Sequence, residues 1–89
     1  MEQRTFRVHG RVQGVGFRWW TRSHALRLGL AGTVRNCEDG TVEVRARGST
    51  AALSELRRLL ESGPPGAAVR RVDDEPAADL PGEGFEIQR

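Results

Sequence analysis

The chain contains no lysine, a single cysteine and no long apolar run. All 14 of its basic residues are arginine. Without a lysine it has neither the nucleotide-binding phosphate loop that needs one nor a Schiff base on a lysine amine. No apolar segment is long enough to span a membrane, and none follows the N-terminus as in a signal peptide. We therefore expect a cytoplasmic protein with no membrane partner.

The one cysteine, Cys37, has no second cysteine with which to form an internal disulfide. Together with the two histidines, His9 and His24, it makes a poor set of zinc ligands. We therefore expect no metal and no cofactor, and we interpret Cys37 as a small packing residue.

The length of 89 residues is enough for one domain with one core, over residues 1–89. The residues are 37% apolar and 29% charged, which is ordinary for a globular protein. The formal net charge is only +2, so the basic composition is a weak indication of nucleic-acid binding. We expect a monomer.

Apolar periodicity predicts alternating strands and helices along the chain. The predicted strands are 5–13, 30–36, 41–47 and 68–74, with a short closing strand at Phe85 and Ile87. The predicted helices are 17–28, ended by Gly29, and a second helix that opens at Ser49 or Thr50 and carries Leu53, Leu56, Leu59 and Leu60. Asp39 and Gly40 predict a hairpin, the spacing of Val69 and Val72 predicts a bulge, and 75–84 is an acidic loop rich in proline and glycine.

This order, β-α-β-β-α-β, predicts a ferredoxin-like α/β (α+β) sandwich. Its antiparallel sheet would carry two helices on one face and a short extra C-terminal strand. Proteins of this fold include enzymes, metal chaperones and RNA-binding modules, so the fold alone does not decide the function.

The stretch GRVQGVGFR places Gly10, Gly14 and Gly16 within seven residues, directly before Arg18. The loop opens a helix, where the first backbone N–H groups have no helical partner and the dipole is positive. Glycines leave room for an anion, and the arginine adds a planar fork of donors. The stretch therefore predicts a cradle for phosphate or a sulfate-like anion. It lacks the third glycine of a dinucleotide-binding fingerprint.

A second stretch, GTVRNCEDG, contains Asn36 at the end of a strand, just before the hairpin. The plain interpretation is an asparagine that binds its own backbone beside a turn. The functional interpretation requires Asn36 to lie near Arg18 in space, which the strand order permits and the sequence does not prove.

The two stretches together resemble the acylphosphatase family. Its motif G-x-V-Q-G-V-x-F-R stands at residues 10–18, and its motif G-x-V-x-N followed by D-G stands at 32–36 and 39–40. The resemblance covers nearly the whole chain and implies hydrolysis of an acyl phosphate, a small molecule, to a carboxylate and phosphate. It implies that Arg18 binds the phosphate and that Asn36 orients the attacking water. It implies a cradle of backbone N–H groups from Gln13, Gly14, Val15, Gly16, Phe17 and Arg18.

The residues fit that reaction because they include no evident nucleophile or base. An amide such as Asn36 orients water but accepts no proton at neutral pH. A carboxylate leaves without help, and the loose transition state needs mainly fixed donors around the phosphoryl oxygens. We hypothesise that the water's proton passes to the substrate's own phosphate, with no metal involved.

The alternative function is a non-catalytic ferredoxin-like module that binds phosphate or nucleic acid. One face of the predicted sheet carries His9 and several arginines, but the outward positions on the first and third strands lack the aromatic side chains on which RNA-binding modules stack bases. We therefore interpret this face as a charged, solvated surface and expect no nucleic-acid partner. A metal chaperone would need a cysteine pair in the first loop, which has none.

Overall fold

The computed structural model describes residues 1–77 and 82–89. These residues form five strands and two helices: β1 (Glu2–Arg11), α1 (Phe17–Arg27), β2 (Ala31–Asn36), β3 (Val42–Gly48), α2 (Thr50–Ser62), β4 (Ala68–Glu75) and β5 (Phe85–Gln88). Their predicted order is confirmed, with ends shifted by at most three residues. Of the acidic loop predicted over 75–84, Glu75 belongs to β4 and 78–81 lie outside the described residues. No helix in the described ranges is long and apolar enough to cross a membrane.

The five strands form one sheet in the order β4-β1-β3-β2-β5. The pairs β1–β3, β1–β4 and β2–β3 are antiparallel. The short closing strand β5 pairs in parallel with β2, with Gly32 opposite Phe85. The predicted ferredoxin-like sandwich is confirmed, and the extra strand makes its sheet mixed.

The core lies between one face of the sheet and the two helices. Val34, Val44 and Phe6 form a row across β2, β3 and β1, and all three are fully buried. Helix α1 packs against β2 and β5, whereas α2 packs against β1, β3 and β4. Each large apolar side chain buried in this way contributes about 1.5–3 kcal/mol. The helices contribute Phe17, Ala25, Leu53, Leu56 and Leu60 to the core.

The opposite face of the sheet is charged, and Glu43 lies at its centre. The register places Glu43 of β3 between Arg7 of β1 and Arg35 of β2. Its carboxylate lies 2.8 Å from Arg35 Nε, 3.1 Å from Arg45 Nε and 3.3 Å from Arg7 Nη2, and the residue is only 6% exposed. The expectation of a charged, solvated surface is therefore wrong at this point, because the glutamate is buried and its carboxylate pairs with arginines.

The bulge predicted in the fourth strand is confirmed. The pairing of β1 and β4 shifts between His9 and Gly10, which leaves Arg70 as the extra residue of β4. Gly10 has a φ of +129°, and a Cβ there would lie 2.1 Å from the carbonyl oxygen of Ala68. The close approach of the two strands beside the bulge therefore requires glycine at position 10.

Strand direction brings three chain segments to one edge of the sheet. Strands β1 and β2 are both antiparallel to β3, so they run in the same direction on either side of it. Strand β5 is parallel to β2 and runs the same way. The loop after β1, the turn after β2 and the end of β5 therefore meet at one edge.

Candidate active site

The loop between β1 and α1 has an unusual backbone. Gly14 and Gly16 both have a φ of +76°, in the left-handed region that favours glycine. Gly16 is the N-cap of α1, and no side chain caps the helix there. The chain therefore turns sharply into the helix without a side chain covering the helix's first amides.

The N–H groups of this segment are free to bind an anion. The first helical hydrogen bond runs from Trp20 N to Gly16 O at 3.0 Å. Within the described part of the chain, no acceptor binds the backbone N–H groups of residues 14–19. Unsatisfied amides at the positive end of a helix dipole bind anions readily.

A small cavity of about 210 Å³ lies beside this segment. It is lined by Val12, Gly14, Gly16, Phe17, Arg18, Trp19 and Asn36. The structure thus brings Arg18 and Asn36 together, with Gly14, Gly16 and Phe17 beside them. Gln13 and Val15 belong to the same loop but do not line this cavity.

The guanidinium of Arg18 is held at one nitrogen. Its Nη1 donates to the carbonyl oxygen of Gln88, at the end of β5, over 3.0 Å. It forms no ion pair with any carboxylate in the described ranges. Because a guanidinium has five N–H donors, most remain available to an anion.

Asn36 reaches the cavity from the end of β2, although β3 separates β2 from β1. Its Oδ1 is buried and has no hydrogen-bond partner among residues 1–77 and 82–89. A buried acceptor without a partner costs about 1–3 kcal/mol. A water molecule in the cavity could relieve that cost by donating a hydrogen bond to Oδ1, so the side chain suits the orientation of a water.

Gln13 joins the two halves of the site. Its Nε2 donates to Cys37 O and to Thr41 O, each over 2.9 Å, and so ties the loop after β1 to the turn that follows Asn36. Sequence reasoning assigned Gln13 only its backbone N–H and missed this side-chain role. The one indication in the sequence was an amide side chain, with two N–H donors, at the end of the predicted first strand.

Charged and polar side chains hold the turn after Asn36 in place. The predicted hairpin is present, with Cys37 N bonded to Thr41 O at 2.8 Å. Thr41 Oγ1 accepts from Arg7 Nη1 at 2.9 Å and donates to Asp39 Oδ1 at 2.6 Å. The hydrogen bonds from Thr41 lower the pKa of Asp39. Arg7 also binds Cys37 Sγ at 3.2 Å, so the thiol belongs to this polar network.

A larger cleft of about 900 Å³ adjoins the small cavity. Arg18, Trp19 and Asn36 line both. The other lining residues are Arg22, Phe85, Glu86, Ile87 and Arg89. Trp19 is 66% exposed at the rim, whereas Trp20 packs against the core. Sequence reasoning did not predict that Arg22 and residues of β5 line this cleft.

The two histidines line neither cavity. His9 Nε2 lies 3.0 Å from Asp73 on the charged face of the sheet. The ring of His24 lies 4.7 Å from that of Trp20, and burial lowers its pKa. Across the described ranges, no group of three or more histidine, cysteine, aspartate or glutamate residues is placed to hold a metal.

A family model described as acylphosphatase matches residues 4–87. An acylphosphatase of Synechococcus sp. (strain RCC307) is 51% identical over 98% of this chain and 74% of its own. An acylphosphatase of Alkalilimnicola ehrlichii is 50% identical over 97% of each chain. The crystal structure of acylphosphatase from Bacillus subtilis superposes with a TM-score of 0.92 and 37% identity, covering 100% of both chains.

Gln13→Met tests the tie between the two halves of the site. It removes the amide donors at similar side-chain length, so Cys37 O and Thr41 O lose a partner. Each carbonyl keeps a backbone donor, Cys37 N for Thr41 O and Gly40 N for Cys37 O. We therefore expect the free energy of unfolding to fall by about 1–2 kcal/mol, the net contribution of two hydrogen bonds. Urea titration followed by tryptophan fluorescence measures it. The control Gln88→Met changes an exposed side chain and should stay within about 0.5 kcal/mol of wild type. Equal stability of the two variants would contradict the structural role of the Gln13 side chain.

Proposed function

The chain belongs to the acylphosphatase family and hydrolyses acyl phosphates to a carboxylate and inorganic phosphate, and we propose how its residues perform this reaction. The observation that carries the proposal is the set of backbone N–H groups, from residues 14–19, that have no acceptor in the described part of the chain. Five of these six residues, all but Val15, line the same small cavity as Asn36.

The phosphoryl group of the substrate binds in the small cavity. The backbone N–H groups of Gln13 through Arg18 form the cradle, and those of Gly14, Gly16, Phe17 and Arg18 come from residues that line the cavity. The free nitrogens of the Arg18 guanidinium bind the remaining phosphoryl oxygens. These donors are fixed before the substrate arrives, because Gln88 O holds the guanidinium and α1 holds the amides. Fixed donors stabilise the charge that spreads over the phosphoryl oxygens in the transition state.

Asn36 orients the attacking water. Its unpartnered Oδ1 accepts a hydrogen bond from the water, whose oxygen then faces the phosphorus. The amide holds the water in line with the bond that breaks but does not remove its proton. Gln13 keeps Asn36 in position relative to the cradle through its bonds to the turn.

The reaction balances without a protein base. The water oxygen bonds to phosphorus while the bond from phosphorus to the acyl oxygen breaks, and the carboxylate leaves with the bonding electrons. The water's proton passes to a phosphoryl oxygen of the substrate, which gives inorganic phosphate. A phosphate monoester lacks so good a leaving group, so the site suits acyl phosphates. Inorganic phosphate and sulfate occupy the same cradle as competing anions.

Two variants at Arg18 test its binding role. Arg18→Ala removes the guanidinium, and Arg18→Lys keeps the charge but loses the planar fork. We expect both to lose turnover of benzoyl phosphate by at least about a hundredfold and to lose inhibition by phosphate. Steady-state kinetics with EDTA present measure both quantities. The control Arg27→Ala changes an exposed arginine of the same helix that lines neither cavity, and should retain activity. Wild-type phosphate affinity in Arg18→Lys would contradict the need for a fork.

Asn36→Ala separates binding from turnover. The cradle and Arg18 remain, so inhibition by phosphate should stay near the wild-type value. Without the oriented water, kcat for benzoyl phosphate should fall by roughly 10²–10³, the effect of removing one preorganised group. The inhibition constant of phosphate and kcat are measured on the same preparation, with EDTA present. If phosphate affinity collapsed instead, the water-orienting role would be misassigned to Asn36.

We further propose that residues 1–89 form one domain that acts as a monomer in the cytoplasm. A single core joins both helices to the sheet, and the Cα radius of gyration is 11.5 Å. We expect sedimentation velocity at micromolar concentration to give one species of about 9.8 kDa, and urea unfolding to show one cooperative transition. A species of twice that mass would contradict the monomer.

A further inference from the structure

We propose that Arg22 binds a second anionic group on the acyl part of the substrate. The enzyme would then prefer acyl phosphates whose acyl group carries a carboxylate or a similar anion at its far end. The inference rests on the proposed function, because it assumes that the phosphoryl group occupies the small cavity and the acyl group the adjoining cleft.

Arginines of the sheet and of α2 differ in their partners from those of the large cleft. Those over the sheet and along α2 pair with carboxylates: Arg4, Arg7, Arg35, Arg45, Arg57, Arg58 and Arg71. In contrast, Arg18, Arg22 and Arg89, which line the large cleft, form no ion pair within the described ranges. The cleft therefore gathers cations that the protein itself leaves unneutralised.

Arg22 is oriented for binding. It lies one helical turn beyond Arg18 on α1, and both line the same cleft. Its Nε donates to Phe85 O over 2.9 Å, whereas its two Nη nitrogens have no acceptor in the described part of the chain. The hydrogen bond at Nε already restricts the side chain, so binding an anion at the two Nη nitrogens costs little further conformational entropy. Two parallel N–H donors match a carboxylate.

The rest of the cleft suits an organic acyl group with a charged end. Trp19, Phe85 and Ile87 offer apolar surface, and the volume of about 900 Å³ exceeds that of the phosphoryl cavity about fourfold. Glu86 is the one carboxylate side chain among the lining residues. When side chains alone are counted and Arg18 is committed to the phosphoryl group, Arg22 and Arg89 outweigh Glu86 by one positive charge. This balance favours an anion over a neutral or cationic acyl group.

A matched pair of substrates tests the inference. Benzoyl phosphates with a carboxylate or a carboxamide at the 4-position have nearly the same shape and differ by one charge, and the 3-substituted pair covers a second geometry. For either pair, the readout is the ratio of kcat/KM for the charged substrate to that for the neutral one, corrected for uncatalysed hydrolysis. We expect the wild-type ratio to exceed one at low salt and to fall as salt is added.

Two variants should move that ratio in opposite directions. Arg22→Gln should lower it by about fivefold, the upper range for a partly exposed ion pair, and Glu86→Gln should raise it. The control Arg27→Gln lies on the same helix outside the cleft and should leave it unchanged. Glu86→Gln keeps the anchor of Arg22 on β5, so it tests the charge balance even if Arg22→Gln unfolds.

The outcomes separate the two proposals. If Arg22→Gln slows both substrates equally and Glu86→Gln leaves the ratio unchanged, Arg22 only anchors β5 and the inference is overturned. If wild-type protein hydrolyses the charged and the neutral substrate at the same kcat/KM, the preference is absent and the inference fails while the proposed function stands. If folded wild-type protein hydrolyses neither, the proposed function itself fails.

Discussion

A site built from backbone amides requires several consecutive N–H groups to point to one place, and residues with side chains rarely adopt the backbone conformation that allows this. Gly14 and Gly16 meet the requirement with their left-handed φ of +76°. Because Gly16 begins α1 without a side-chain cap, the first amides of the helix have no capping side chain as acceptor and stay available to an anion. The position of Arg18 in the first turn follows from the same geometry. The remaining structure serves to hold this turn in place.

The sheet provides that support from its charged face as well as from its core. Gln13 ties the glycine loop to the turn after Asn36, and Arg7 connects that turn to Glu75 of β4 and to Glu43. Hydrogen bonding from Arg35 lowers the pKa of Glu43, with Arg45 and Arg7 adding to the effect, against the opposing effect of burial. A carboxyl whose pKa is depressed on folding stabilises the protein above its unfolded pKa, and that contribution is lost as the pH falls through the folded value. Acid therefore weakens the sheet before it alters the proposed cradle, since amides and a guanidinium do not titrate in that range.

The sequence predicted the element order and the fold because hydrophobic alternation and turn residues act locally. The proximity of Arg18 and Asn36 needed the resemblance as well, since β3 lies between their strands. Three features could not be predicted from local sequence patterns. The parallel pairing of β5 with β2 depends on which edge of the sheet is open. The burial of Glu43 depends on three arginines that only the strand register brings together. The side-chain bonds of Gln13 depend on where the carbonyl groups of a distant turn point.

The ion-pair and hydrogen-bond partners of the arginine side chains show why one basic residue type can serve the whole chain. A guanidinium keeps its charge when partly buried and makes several directed bonds, so a single residue type serves two purposes here. On the sheet, arginines pair with Glu43, Asp74 and Glu75, whose carboxylates offset much of the guanidinium charge. At the cleft, Arg18 and Arg22 bind only backbone carbonyls, which fix their direction but leave their charge in place. A carboxylate partner at either position would compete with the anion of the substrate. The net charge of +2 therefore understates the local charge of the cleft, because seven of the 14 arginines pair with carboxylates elsewhere.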